Sequence, residues 1–204
     1  MPLPLPAFAR RLAPAALLLG LACQPPAAPK VYCPWEEGLT LTFEDPSRPQ
    51  PERSANRLQV RVAKSAIAPG LPTLIQVDVA SLRGQMPMTL KQQDGGVSLV
   101  TDQGQHLSVS LPAGFPATTA WKERGTEFRV LGRAAWDGAA LLPATSDPVG
   151  IWVEARPLQG PRRRTLYLPN LGEVETQEER GGAWISVNRL VAYGFTSLPA
   201  IKRP

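Results

Sequence analysis

Few side chains in this sequence have the type and spacing for chemistry. His106 is the only histidine in 204 residues, so triads, relays and histidine metal sites lose their central part. Strand phase puts it beside Ser108 and Ser110 on the wetter side of its segment. Ser65, Ser81 and Ser186 lack a Gly-x-Ser-x-Gly elbow. Glu36-Glu37 and Glu178-Glu179 are adjacent, so on a strand they diverge and make poor glycosidase pairs. Glu44-Asp45 leads into a proline-containing stretch and reads as a solvated tip. Two thiols, Cys23 and Cys33, form no CxxC pair and no ligand cluster. Neither a Walker loop nor a dinucleotide-binding glycine pattern is present. No catalytic residue, metal or cofactor is expected, and a hydrolase using scattered carboxylates is the weakest functional reading.

Cys23 has the one informative setting. Arg10-Arg11 precedes an apolar run from Leu12 to Ala22, broken only by Pro14, and the run ends Leu19-Gly20-Leu21-Ala22-Cys23. This is an export leader with a thiol at its exit, in the arrangement of a bacterial lipobox, though Gly20 stands where leucine is commonest. A run of about eleven residues is too short to span a bilayer, which needs roughly 20. Two readings follow. In the first, Cys23 is diacylated and becomes the first residue of a membrane-tethered chain, since two acyl chains anchor stably. In the second, ordinary cleavage after Ala22 or Ala28 releases a soluble exported protein, and Cys23, if retained, could pair with Cys33. The divisions are a signal peptide at 1–22, a lipid-attachment and proline-rich spacer at 23–34 and a β domain at 35–204. Gln24-Pro25-Pro26-Ala27-Ala28-Pro29 is a stiff spacer. No aspartate follows Cys23, which in a Gram-negative cell favours the outer membrane.

Once the leader is removed, 182 residues remain, one domain's worth. The formal charge of +5 falls to about +3 without Arg10 and Arg11, so neither charge nor address suggests a nucleic-acid partner. The run Arg162-Arg163-Arg164 reads as a solvated strand end.

Twenty-three prolines and seventeen glycines leave little room for long helices, and the apolar segments alternate with period two. Leu58, Val60 and Val62 oppose Gln59 and Arg61. The same pattern recurs at Ile75 to Val79, Leu107 to Leu111, Phe128 to Val130 and Val149 to Val153. Asp94-Gly95-Gly96, Asp102-Gln103-Gly104, Trp136-Asp137-Gly138 and Arg180-Gly181-Gly182 read as hairpin turns. The expected fold is all-β: a single curved antiparallel meander, or half-barrel, of roughly 9–11 strands. A three-residue loop at Pro169 would set Leu166 opposite Val174 and Thr165 opposite Glu175. The break in phase after Val187 calls for a β-bulge near Asn188. Glu44 to Ala55 reads as an exposed loop, and Pro112 to Arg124, holding Trp121, as an irregular passage across one sheet end.

The segment Tyr167-Leu168-Pro169-Asn170-Leu171-Gly172-Glu173-Val174, with the Gly-Gly turn and Asn188 to Tyr193 after it, resembles the closing hairpin of a loose group of uncharacterised bacterial exported lipoproteins. Pro34 to Gly38 followed by Leu39 to Phe43 matches that group's opening. Asn170 stands where the group usually has glycine and is expected in a left-handed conformation. The resemblance implies a curved antiparallel sheet, similar to the half-barrels of envelope lipoprotein carriers and receptors, and it implies no activity.

Trp152 and Trp184 fall on the polar phase of their strands. With Trp121 they could line a groove for lipid, peptide or glycan, or be a minor core beneath the 112–124 passage. The functional expectation is an exported, lipid-anchored envelope protein facing periplasm or exterior. It acts as a non-enzymatic binding module for an amphiphile or protein partner, or alternatively as a structural or assembly lipoprotein without a pocket. Its implied partners are the membrane, through Cys23, and a lipid or envelope protein.

Overall fold

Period-two alternation builds strands, and glycine-bearing turns return each one beside its predecessor. The computed structural model describes residues 31–34, 36–66, 70–101, 103–142 and 147–195. The leader, Cys23, the spacer before Val31 and Trp35 lie outside the described residues. Twelve strands form one antiparallel sheet: β1 (Leu39–Glu44), β2 (Leu58–Ala66), β3 (Thr73–Ser81), β4 (Gly84–Gln93), β5 (Gly96–Val100), β6 (His106–Leu111), β7 (Ala120–Glu123), β8 (Thr126–Ala135), β9 (Val149–Arg156), β10 (Arg163–Leu168), β11 (Gly172–Arg180) and β12 (Ala183–Phe195). Every neighbour is sequential except at the centre, where β1 pairs with β12, leaving β6 and β7 as the two edges. Asp94-Gly95 and Gly181-Gly182 have positive φ at both positions, the twist that two-residue hairpins require.

So many twisted strands curl rather than stay flat. Phe115, just beyond the β6 edge, meets the ring of Tyr32 at 5.0 Å and that of Tyr167 on β10 at 6.3 Å. The sheet is therefore nearly closed like a barrel around Leu39, Leu41, Phe43, Val62, Ile75, Val77, Ile151, Val153, Val174 and Leu190, all buried. Burying side chains of this size contributes roughly 2 kcal/mol each. One end is capped by Tyr32, Cys33 and Phe115. Asn170, left-handed at φ 65°, donates its backbone N–H to Val31 O there. As expected, asparagine takes the position that favours glycine.

The departures from expectation have physical causes. The loop at Pro169 does hold three residues, with Leu168 opposite Gly172, but a bulge then sets Leu166 against Glu175 and Thr165 against Thr176. Leu166 and Val174 are both buried but are not cross-strand partners. Leu166 and Leu168 lie on the outer phase with Gly150, where Trp136 and Leu142 of the β8–β9 connection also belong to the packed core. The assumption that only one face is apolar fails under this cover. The bulge near Asn188 is present, with Thr176 opposite Asn188 and Gln177 opposite Ser186.

Glu44 to Ala55 is not a plain exposed loop. Glu44 ends β1, is 8% exposed and pairs with Arg57 Nε at 2.7 Å, while Gln50–Ala55 forms a short helix, α1. The 112–124 passage is regular in part, contributing β7, which raises the strand number above the expected range. Strand β6 is interrupted by two register shifts, so Leu107 is exposed while Leu111 is buried. Trp136-Asp137-Gly138 opens a long connection with a 3-10 turn at Ala139–Leu141, not a tight hairpin.

Candidate functional site

Where the sheet fails to seal, it leaves a cleft. Among the described residues neither β6 nor β7 has a strand bonded to its outer edge, so both present main-chain donors and acceptors. A cavity of about 490 Å³ lies between them, lined by Lys91, Ser98, His106 and Val109 on one side and Trp121, Lys122 and Glu123 on the other. Pro112 and Ala113 line it too, held by the tight approach of Gly96, where a Cβ would lie 2.7 Å from Ala113 N. Trp121 stacks on its cross-strand neighbour Phe128, centroids 4.9 Å apart with planes at 3°. Its Nε1 is buried with no hydrogen-bond partner among the described residues.

The barrel interior offers much less room. A space of about 130 Å³ beside Leu41, Phe43, Val60, Glu173 and Asn188 is small against the roughly 300 Å³ of typical ligand cavities. Its polar wall is internally satisfied, since Glu173 Oε1 accepts from Thr176 Oγ1 at 2.8 Å and Asn188 Nδ2 at 2.9 Å. Thr165 and Thr176 hydroxyls bond each other at 2.9 Å.

The outer face carries a ladder of rings and charges. Arg164 lies between Trp152 and Trp184, its guanidinium carbon 4.9 Å and 4.7 Å from the ring centroids, and its Nε donates to Gln177 at 2.7 Å. Arg162 stands 5.6 Å from the Trp184 ring and bonds Glu154 and Glu179. Burial alone would raise the Glu154 carboxyl, but hydrogen bonds and charge from Arg162 and Arg156 outweigh it and hold it below the usual range. Arg163 engages Glu178, which Arg180 also holds. The basic run does lie at a strand end, with the Arg163 side chain 56% exposed, and the β10–β11 register brings 162–164 against Glu178, Glu179 and Glu154, so that each guanidinium is engaged.

Of the tryptophans singled out in the sequence, Trp152 and Trp184 come together with Arg164 filling the space between them. Trp121 stands apart, at the seam. Reading residues one strand at a time missed Arg164. The signal lay in the hairpin, where Arg162 and Arg164 share the phase of Trp184 and Glu179. His106 lines the cleft as an exposed side chain. Cys33 is buried, with no disulfide partner among the described residues, and burial pushes its thiol up to about 12, which removes the thiolate that a nucleophile would need.

No protein-family model matches the chain. No curated protein matches it significantly either. Two solved structures resemble it. One is a candidate exported protein with a YmcC-like fold from Bacteroides fragilis, with TM-score 0.47, 14% identity, and 81% of this chain and 99% of that one covered. The other is a candidate lipoprotein from Parabacteroides distasonis, with TM-score 0.46, 12% identity and the same coverage.

Proposed function

We propose that this chain is an exported, lipid-anchored envelope protein that binds an extended segment of a protein partner in the cleft between β6 and β7. The leader ending in Cys23 supports the address. The observation that carries the binding reading is the position of this cleft of about 490 Å³, where, among the described residues, the two open strand edges stand together. A polypeptide adding there gains main-chain hydrogen bonds from an open edge. Lys91, Lys122 and Glu123 would select among its side chains. The filled interior disfavours a buried acyl chain, which moves the choice between amphiphile and protein toward protein. In this reading the protein acts by binding, without turnover.

A photo-crosslinking residue placed at Lys122 in living cells tests this. The expected result is a discrete adduct with another envelope protein, lost when Trp121→Ala is added and retained when Leu158→Ala is added instead. If no adduct forms at Lys122 or Ser98 in protein that is folded and localised, the cleft reading fails and the structural lipoprotein takes its place. Replacing Cys23→Ser should shift the chain from the membrane to the soluble envelope fraction.

A further inference from the structure

Antiparallel order sorts the connections between two ends of the barrel. Val31 and Tyr32 lie at the end where Asn170 and Phe115 meet them. By strand direction the same end holds the β2–β3, β4–β5, β8–β9 and β10–β11 connections. The opposite end holds α1 and the β3–β4, β7–β8, β9–β10 and β11–β12 turns. Only seven residues separate Cys23 from Val31, an extended reach of about 25 Å. Strands such as β2 are themselves about 30 Å long, so a tether of this reach favours keeping the Val31 end nearer the lipid.

At that near end the β2–β3 connection presents Leu71, 68% exposed, and the start of β3 presents Leu74, 41% exposed. Leu74 faces Lys91 across β4, an ammonium placed to remain at headgroup level while the leucine goes deeper. Exposed apolar side chains occur at the far end as well, Leu158 at 83% among them, so exposure does not choose an orientation. The tether does.

We infer that the barrel stands with its Val31 end on the lipid surface, the tip carrying Leu71 and Leu74 seated in the interfacial layer of a phospholipid bilayer. This rests on the reading of Cys23 as lipidated. The cleft between β6 and β7 then opens sideways, parallel to the membrane, where an envelope protein reaches it without crossing lipid.

The test uses full-length protein purified from bacterial membranes and reconstituted into phosphatidylethanolamine and phosphatidylglycerol vesicles carrying a bromine-labelled acyl chain. Leu71→Cys and Leu158→Cys variants are labelled with bimane, which reacts selectively because Cys33 is buried and Cys23 acylated. Quenching at position 71 is expected to exceed that at 158 by about twofold or more. Equal quenching, or stronger quenching at 158, overturns the orientation. Mass spectrometry of the N-terminal peptide separates the two ideas: an unmodified Cys23 removes the anchor and this inference together, whereas a diacylated Cys23 without preferential quenching removes the orientation alone.

Discussion

Arg164 shows how one side chain can be legible in type and illegible in role. Its neighbours in sequence are arginines, so read alone it belongs to solvent. Its neighbours across the strands are Trp152 and Trp184, and a planar guanidinium stacks between two rings as an ammonium cannot. Arg164→Lys should therefore lower stability by about 1 kcal/mol, with a red shift of tryptophan emission, while Arg163→Lys leaves emission unchanged. The polar phase of both tryptophans was readable from alternation. What fills the space between them was not, because that depends on register across three strands. Cys33 gives a prediction in pH. Its folded thiol is pushed up to about 12 from 9.0, so the neutral form is favoured on folding and its contribution is complete below pH 9. That contribution fades as pH rises from 9 toward 12. Native protein at pH 8 should resist maleimide at Cys33 and react fully in denaturant, and Cys33→Ser should flatten the alkaline loss of stability. Glu154 and Glu178 act in the other direction. Both are held below the ordinary carboxylate value of 4.5, so their contributions are present above that pH and fade as acid protonates them.

At the level of strands, alternation located β2, β3, β6, β8 and β9, and it left β4 and β5 without assigned residues. It misjudged the positions where both faces are covered, or where an extra residue resets the phase. The hairpin at Pro169 is the clearest case: the loop length was right, yet the bulge at Val174 sets Glu175 opposite Leu166 and leaves that leucine buried beside Gly150. Deleting Val174 should force one of these leucine or valine sets to the wrong side. The expected outcome is loss of cooperative unfolding and of near-ultraviolet dichroism, whereas deleting the exposed Leu158 leaves both intact. Strand β7 escaped notice because four residues with one tryptophan give too short an alternation to register. Its position depends on the 112–119 loop, which docks where Gly96 leaves room for backbone. Gly96→Ala places a methyl against Ala113 N and the Pro112 carbonyl carbon, contacts too close to keep. It should raise hydrogen exchange in 112–123 with little change in β9–β12.

For the molecule as a whole, the architecture was readable from the strands, while the cleft was not. A seam between residues near 108 and residues near 121 exists only after the sheet curls, and no local pattern encodes that curl. The central pairing has a further consequence. Leu39 lies opposite Phe195, the beginning of the fold zipped to its finish, with every other strand strung between them. A chain emerging in order can stack β2 through β6 on β1 as they appear, but β1 keeps one bare side until the final strand arrives. Throughout synthesis the growing product carries a ready template for pairing with a neighbour, and β12 is the strand that removes it.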